Sequence, residues 1–303
     1  MQELIDKARV LLEALPYIRE FHGRIFVIKY GGHAFDDTSL RESFARDVLI
    51  LRLVGVKPVV VHGGGPQIGD MLKRLSIESR FVEGLRVTDD RTMEIVEMVL
   101  GGLINKEIVR LIHRVGGRAV GLSGKDGALI RARRMAPLRL QKNGEEVVVD
   151  LGRVGEVDSV NPEVIDRLLE ADFIPVIAPV GADSEGVTLN INGDSMAAKL
   201  AAALKAEKLV LLTDVQGVQG EGGELLSTLD AGAAERLIER GVIAGGMIPK
   251  VRCGVQALHD GVRKVHVVDG RAEHAVLLEI FTDRGVGTEI VANGRWRGEG
   301  AER

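Results

Sequence analysis

Short apolar runs alternate with longer amphipathic segments along most of the chain, and this alternation limits the possible folds more than any other feature. Six runs are predicted strands, at residues 25–29, 58–62, 118–123, 173–179, 208–214 and 263–269. Apolar residues recur at helical spacing near 37–53, 66–75, 89–114, 162–171, 194–205, 231–240, 247–260 and 273–281. Uniformly apolar strands separated by helices indicate a mostly parallel sheet covered on both faces.

Residues 129–157 depart from this alternation. Two segments rich in β-branched and basic residues flank Asn143-Gly144, a dipeptide that favours a tight turn between antiparallel strands. A turn-rich stretch follows near 180–188, and the strand–helix alternation resumes after it. We therefore expect two lobes, residues 21–184 and 185–303, that share one sheet. Open α/β sheets bind ligands beyond the carboxyl ends of their strands, so a site is expected in the crevice between the lobes.

The first twenty residues (1–20) form a separate N-terminal segment. Apolar side chains recur at helical spacing among charged ones, which predicts an amphipathic helix and argues against a signal peptide or a membrane span. Pro16 should kink this helix or end it. The apolar stripe needs a partner, and the pattern leaves two open: the chain's own domain or another subunit.

Composition narrows the classes of function. The net charge is −4 and aromatic residues make up 3% of the chain, whereas nucleic-acid binders carry basic surfaces and aromatic stacking platforms. The single cysteine, Cys253, excludes an intramolecular disulfide framework and a cysteine-rich metal site. We expect a cytoplasmic protein with neither a nucleic-acid nor a membrane partner.

Two glycine-rich loops follow predicted strands. In VVVHGGGP a strand ends, three glycines (63–65) follow, and Pro66 opens a helix, so free amides and a helix N-terminus can bind an anion. The second loop, VIKYGGHAF, contains Lys29, Gly31 and Gly32. Tight turns could explain either loop, but the pair favours a polyphosphate held between opposed amides. Neither GxxxxGK[ST] nor a GxGxxG after the first strand is present, which argues against a P-loop enzyme and a dinucleotide-binding Rossmann domain.

Polar and cationic side chains accompany these loops. LNINGDSMAAKLAAAL alternates Asn190, Asn192 and Asp194 before a helix. Asp194 could simply cap that helix, or it could orient nearby cations. Lys250 lies in the first turn of another predicted helix, where it opposes the macrodipole. It is either a solvated surface lysine or a ligand of a bound anion.

Two further motifs suit a nucleotide and a carboxylate. LLTDVQGV ends a strand with Thr213, Asp214 and Gly217, which suits the rim of a base or ribose site. Arg86 in EGLRVTD could bind a carboxylate through two parallel hydrogen bonds. Phosphoryl transfer needs in-line positioning and cancellation of charge, which lysines, glycine amides and an organising aspartate would supply.

Seven motifs together resemble those of the acetylglutamate kinases in the amino-acid-kinase family: KYGG, VHGGGPQI, GLRVTD, GLSGKDG, LNINGDSMA, LLTDVQGV and GMIPKV. The resemblance implies an α/β fold, an open three-layer αβα sandwich with a mostly parallel central sheet and an added N-terminal helix. The N-terminal lobe would bind N-acetyl-L-glutamate and form a dimer, and the C-terminal lobe would bind ATP. The product would be N-acetyl-L-glutamyl 5-phosphate, in arginine biosynthesis.

The resemblance also implies a role for each matching residue. Lys29 and Lys250 would stabilise the transition state, and Asp194 would organise them. The acetylglutamate ligands would be Gly64, Gly65, Arg86 and Asn190. The ATP ligands would be Gly31, Gly32, Gly63, Thr213, Asp214, Gly217 and Met247, with Gly32 and Gly64 as amide donors to the phosphoryl group. Mg²⁺ would be held mainly by phosphates and water, so no protein metal ligand is expected.

The N-terminal helix and the motif LLEIFTDRGVGTEI resemble the arginine-inhibited branch of that family. Tyr17, Glu279 and Gly285 would then bind L-arginine. Identical helices packed pairwise would link dimers into a hexamer, a trimer of dimers.

Two alternatives to an acetylglutamate kinase stay open. One is a kinase for an acetylaminoadipate-like or carrier-linked acceptor, because one methylene or a protein carrier changes few residues. The other is a non-catalytic amino-acid sensor on the kinase fold, against which the presence of Lys29, Asp194 and Lys250 together argues.

Overall fold

The computed structural model describes residues 2–31, 37–142, 145–282 and 285–292. Its centre is an eight-stranded sheet. From one edge to the other, the strands are β14 (Thr228–Asp230), β16 (Thr288–Val291), β15 (Lys264–Asp269), β13 (Lys208–Thr213), β1 (Ile25–Tyr30), β2 (Lys57–His62), β10 (Ile174–Ala178) and β5 (Ala119–Ser123). All neighbours run parallel except β15 and β16. The predicted mostly parallel sheet is confirmed.

β1 lies in the middle of this sheet, and later strands are added on both sides of it. β2, β10 and β5 extend in one direction, and β13, β15, β16 and β14 extend in the other. A reversal of strand order of this kind opens a crevice at the carboxyl ends of the central strands. The crevice therefore lies beyond the ends of β1, β2 and β13.

Helices cover both faces of the sheet. They are α2 (Thr38–Leu53), α3 (Gly65–Arg74), α4 (Asp90–Glu97), α5 (Asn105–Arg114), α6 (Glu163–Glu170), α7 (Gly193–Ala203), α8 (Ala231–Glu239), α9 (Met247–His259) and α10 (Ala275–Ile280). Successive side chains of β1 enter two separate cores, with Phe26 and Ile28 in one and Val27 in the other. The layered αβα architecture is thus confirmed. Within the described ranges, no helix is both long and apolar enough to cross a membrane.

A π-helical segment, Met98–Ile104, separates α4 from α5. The apolar spacing predicts helix over 89–114 but gives no sign of the wider turn, because the extra residue is absorbed within two turns. Such segments are often found at functional sites. Here the segment lies next to Gly64, in the glycine loop after β2.

A second, smaller sheet closes into a barrel beside the main one. Its strands are β6 (Ile130–Arg134), β9 (Val154–Val160), β11 (Val180–Ala182) and β12 (Thr188–Ile191). The predicted antiparallel pair is present as β7 (Leu138–Lys142) and β8 (Glu145–Val149), with its turn at residues 143–144 outside the described residues. A short antiparallel pair, β3 (Phe81–Val82) and β4 (Leu85–Arg86), lies between α3 and α4. The turn-rich stretch near 180–188 lies between β11 and β12, which pair with each other. The lobe boundary at residue 184 stays a prediction.

The N-terminal helix α1 (Gln2–Phe21) continues through Pro16. Of the two effects predicted for Pro16, a kink or the end of the helix, the second does not occur. The last turn packs on the chain itself: Phe21 is buried and makes an edge contact with Phe26, with ring centroids 5.2 Å apart. Farther from this anchor, Leu12 and Leu15 are 65% and 45% exposed. Part of the apolar stripe therefore contacts the chain's own core, and part of it faces outward.

Candidate active site

The two glycine loops lie side by side because β1 and β2 are adjacent and in register, with Tyr30 opposite His62. The Gly63 amide donates a hydrogen bond to the Tyr30 carbonyl at 2.7 Å and so extends the strand pairing. The prediction that all three amides of the loop after β2, residues 63–65, are free was therefore wrong for Gly63. No described residue accepts a hydrogen bond from the amides of Gly64 or Gly65. Gly32 lies outside the described residues.

Close packing explains why these positions lack side chains. A Cβ added at Gly31 would lie 2.9 Å from Lys29 Nζ, and one added at Gly64 would overlap Ile104 and lie 2.7 Å from Leu100 Cδ2. Gly31 thus leaves room for the Lys29 side chain, and Gly64 lets the π-helical segment approach the loop.

Three charged side chains meet at this point from distant parts of the chain. Lys29, the second-last residue of β1, has its Nζ 3.0 Å from Asp194 Oδ1. Lys250, in the first turn of α9, has its Nζ 2.7 Å from Asp194 Oδ2. The helix α7 that carries Asp194 is capped by Asn192, whose side chain accepts hydrogen bonds from the amides of Asp194 and Ser195. The reading of Asp194 as the helix cap was therefore wrong, and its carboxylate is available to both lysines.

Asp194 is charged at neutral pH. Burial raises the pKa of its carboxyl, but the charges of Lys29 and Lys250 outweigh burial and lower the pKa to about 2. The Lys250 ammonium opposes the helix dipole of α9 but is compensated by this carboxylate. The three groups together carry one net positive charge, and the side chains of Lys29 and Asp194 are only 11% and 13% exposed. Such a site favours an anion.

A cavity of about 180 Å³ adjoins the charged cluster and is lined by Lys29, Gly64, Gly65, Arg86, Asn190 and Asp194, among others. Arg86 is buried, which lowers the pKa of its guanidinium. It donates to the Gly65 carbonyl at 2.8 Å and to Ser79 Oγ, and it stacks 4.5 Å from the centre of the Phe81 ring. A guanidinium has five N–H donors, so donors remain for a ligand.

The Asn190 side chain enters the same cavity from β12. Its amide donates to Thr88 Oγ1 at 3.3 Å. The structure thus brings together the four residues that the resemblance assigns to acetylglutamate, beside Lys29 and Asp194.

The predicted nucleotide residues are more dispersed. Thr213 ends β13 next to β1, and Asp214 follows it on the surface, so both lie at the crevice edge of the sheet. Gly217 has a backbone φ of 149°, and a Cβ there would lie 2.7 Å from Leu225 and from Thr288. The backbone conformation and the packing each favour glycine at this position. Met247 begins α9, one turn before Lys250.

The three residues predicted to bind arginine line a separate cavity of about 630 Å³, in the company of Lys208, His266 and Glu289. Glu279 is buried. Its carboxylate accepts hydrogen bonds from the backbone amides of Val286 and Gly287 at 2.7 and 2.9 Å, and it lies 2.7 Å from His266 Nδ1. The sequence motifs gave no indication of Lys208 or His266 at this cavity. Lys208 begins β13, whereas His266 is a polar residue inside the apolar strand β15 and could have been singled out on that ground.

Within the described part of the chain, no three His, Cys, Asp or Glu side chains come together as a possible metal site.

Comparison with known proteins identifies the family to which the chain belongs. The model of the amino acid kinase family matches residues 24–269. The acetylglutamate kinase of Geobacter sulfurreducens is 58% identical over 290 residues, which cover 96% of this chain and 99% of that protein. The acetylglutamate kinase of Syntrophus aciditrophicus is 57% identical over 287 residues, which cover 94% and 97%.

Solved structures show the same fold. The N-acetylglutamate synthase of Neisseria gonorrhoeae, in complex with coenzyme A and N-acetyl-glutamate, matches with a TM-score of 0.81 and 27% identity, over 94% of this chain and 63% of that one. The carbamate kinase of Giardia lamblia bound to AMP-PNP matches in fold, with a TM-score of 0.62 and 17% identity over 89% of this chain and 99% of that one. The chain therefore belongs to the amino acid kinase family and, within it, to the acetylglutamate kinases.

Proposed function

We propose that this protein transfers the γ-phosphoryl group of ATP to the side-chain carboxylate of N-acetyl-L-glutamate, forming N-acetyl-L-glutamyl 5-phosphate for arginine biosynthesis. The names of its relatives support this proposal. The observation that carries it is the Lys29–Asp194–Lys250 cluster, which lies beside the glycine loops and beside a cavity with an arginine and an asparagine.

The reaction needs no general base from the protein. A carboxyl group with a pKa near that of glutamate, about 4.3, is already ionised at neutral pH and can attack phosphorus directly. What the site must supply is in-line alignment and stabilisation of the charge on the transferred group. Arg86 and Asn190 would hold the acceptor, with Arg86 binding its α-carboxylate by two parallel hydrogen bonds.

The two lysines would act on opposite sides of the transferred group. Lys29 lines the acceptor cavity and would neutralise charge between the acceptor and the phosphoryl group. Lys250, on the other side of Asp194, would stabilise the leaving phosphate. Asp194 would hold both ammonium groups in place before the substrates arrive, so little reorganisation is needed in the transition state. The amides of Gly32, Gly64 and Gly65 would donate hydrogen bonds to the phosphoryl oxygens and the acceptor.

ATP would lie over the carboxyl ends of β1 and β13, with Gly31, Gly63, Thr213, Asp214, Gly217 and Met247 along its length. Mg²⁺ bound to its phosphates would reduce the repulsion between them and the attacking carboxylate. As the family resemblance implies, the ion would be held mainly by phosphates and water.

The test is a substrate panel. Purified protein is given ATP with N-acetylglutamate, N-acetylaminoadipate, N-acetylaspartate or free glutamate, and the acyl phosphate is trapped as a hydroxamate. Highest kcat/KM for N-acetylglutamate is expected. A preference for the longer acceptor would support the sister-kinase alternative, and no turnover with any of them would support a sensor.

Regulation by L-arginine is part of the same proposal. The cavity of Tyr17, Glu279 and Gly285 contains acidic groups for a guanidinium and an α-ammonium, and Lys208 for a carboxylate. Glu279 already has three hydrogen-bond partners, but a carboxylate has about four acceptor sites, so one stays available. Arginine bound there would contact the last turn of α1 and Gly285, which lies just before β16.

The outward side chains of α1 would form the contact between dimers. Leu12 and Leu15 are exposed, and the same surface on a second copy would cover them in an isologous contact. Three such contacts would link three dimers into a hexamer. Arginine bound beside Tyr17 would then favour one orientation of α1 and thereby one opening of the crevice.

A further inference from the structure

His62 is fully buried at the end of β2, directly before the glycine loop, and the mechanism above does not use it. Its Nδ1 lies 2.8 Å from the carbonyl oxygen of Gly63. A carbonyl can only accept a hydrogen bond, so Nδ1 carries the proton and donates.

The other ring nitrogen confirms this tautomer. His62 Nε2 lies 3.3 Å from the side-chain amide nitrogen of Asn105, which also lies 2.9 Å from the Val176 carbonyl and 3.2 Å from the Leu122 carbonyl. The opposite orientation of the Asn105 amide would place its oxygen against two carbonyl oxygens. The nitrogen therefore faces all three groups and shares its two hydrogens among them. Nε2 thus faces a donor and carries no proton. Burial, first of all, lowers the pKa of His62 to about 4, so the ring is neutral.

This hydrogen bond fixes the direction of a backbone amide. The bond between Gly63 and Gly64 is planar and trans, so the Gly64 N–H points away from the Gly63 carbonyl. Holding the carbonyl with His62 thus holds the N–H in the opposite direction. Gly64 lines the cavity beside Lys29 and Asp194, and no described residue accepts its N–H.

Glycine makes such a restraint necessary. Because Gly64 has no side chain, the peptide could rotate more readily than at any other residue type. The amide of Gly63 is held by Tyr30 and its carbonyl by His62, so the turn is fixed from both sides.

We propose that His62, with Asn105, is a positioning pair that aims the Gly64 N–H at the transferred phosphoryl group. This inference rests on the proposed function. Asn105 begins α5 directly after the π-helical segment and links the ends of β2, β5 and β10 through its one amide group. Gly121 of β5 leaves the space for it, since a Cβ there would overlap Asn105 Oδ1.

Two substitutions test whether His62 acts through its hydrogen bond to the Gly63 carbonyl or only by filling space. In His62→Asn the side-chain NH₂ takes the place of Nδ1 and can still donate to the Gly63 carbonyl. In His62→Gln the NH₂ lies one methylene farther out, at the position of Nε2, and no donor faces that carbonyl. His113→Leu is the control, because His113 also contacts backbone, at Ala119, but lies on α5 away from the site.

Loss of one donor to a developing charge costs about 10²-fold to 10³-fold in kcat. We expect kcat to fall about 10²-fold in His62→Gln, with both KM values within about threefold of the wild type, since the amide acts mainly in the transition state. His62→Asn should retain most of kcat, and His113→Leu all of it. Thermal melting identifies any variant that fails to fold.

A second measurement needs no activity. Long-range ¹⁵N–¹H spectra of histidine-labelled wild-type and His62→Gln proteins identify the His62 ring by the signals that the variant lacks, because His266 Nδ1 also faces an acceptor, Glu279. The His62 ring should be neutral, protonated on Nδ1 and without titration between pH 5.5 and 8. An Nε2-protonated ring at His62 would overturn the proposal, as would a His62→Gln variant with unchanged kcat. If the wild type has no acetylglutamate kinase activity, the proposed function fails, whereas the tautomer assignment is tested independently by the spectra.

Discussion

The carboxylate of Asp194 lies between two ammonium groups, and replacing it by an amide tests whether that arrangement drives the reaction. Asp194→Asn keeps the shape of the side chain and removes its charge. Lys29 and Lys250, which lie 3.0 and 2.7 Å from the carboxylate, would then face a neutral group and repel each other. Each lysine should move toward solvent, away from the position in which it stabilises the phosphoryl group.

The magnitude follows from the pKa of Asp194. A shift from 3.8 to about 2 corresponds to roughly 2 kcal/mol of net interaction at about 1.4 kcal/mol per pKa unit. We expect the free energy of unfolding to fall by about that amount. The effect on kcat should be larger, about 10²-fold or more, because a preorganised donor contributes roughly 3 kcal/mol to transition-state stabilisation and both lysines are disturbed.

The pH dependence has a definite sign. Because the pKa of Asp194 is lower in the folded protein than in the unfolded chain, its stabilisation is complete above about pH 4. It is lost as the pH falls toward 2. The stability difference between wild type and Asp194→Asn should therefore be constant from pH 5 to 8 and shrink below pH 4.

The assay is the hydroxamate measurement of kcat and both KM values, together with urea unfolding at several pH values. Asp260→Asn is the matched control, because Asp260 also pairs with a lysine, Lys199, at 2.7 Å, but at a more exposed position. The reasoning would be refuted by an Asp194→Asn variant whose kcat is within threefold of wild type, or by an equal loss in the control.

Three further predictions concern the other parts of the site. Arg86→Lys loses the paired hydrogen bonds to a carboxylate, so initial rates should show KM for acetylglutamate rising far more than KM for ATP; equal changes would place Arg86 elsewhere. Gly31→Ala puts a Cβ 2.9 Å from Lys29 Nζ and should lower kcat at least tenfold with little change in melting temperature, whereas an unchanged kcat would show that the lysine can move aside. Deletion of residues 1–15 spares Tyr17 and Phe21, and light scattering should show active dimers in place of hexamers, with weaker inhibition by arginine; a truncated protein that stays hexameric would contradict the role of α1.

Much of the fold could be predicted because its signals are local. The runs at 25–29, 58–62 and 208–214 correspond to β1, β2 and β13, each within a residue or two of its predicted ends. Burial on both faces of a parallel sheet demands an uninterrupted apolar run, and such a run is visible without any partner. The short strands β11, β12, β14 and β16 were missed, because three or four residues are too few to show a period.

Parts of the site were predicted less well, for a related reason. Asn192 rather than Asp194 caps α7, and a shift of two residues decides which side chain stays free for the lysines. The Gly63 amide pairs with Tyr30, which depends on the register between two strands. The π-helical segment and the Asn105 contacts depend on packing among β2, β5 and β10.

By itself, the sequence determined the order of strands and helices, the bare loops after β1 and β2, and the residue types able to bind a phosphoryl group, because each depends on neighbours a few positions apart. The tertiary structure alone decided that Lys29, Asp194 and Lys250 meet within 3.0 Å. The number of residues between these positions in the sequence gives no information about that distance. The distance follows from the placement of β1 at the centre of the sheet. It also decided that His62 is neutral and faces Gly63, since the loss of water around the ring follows from its burial in the folded protein.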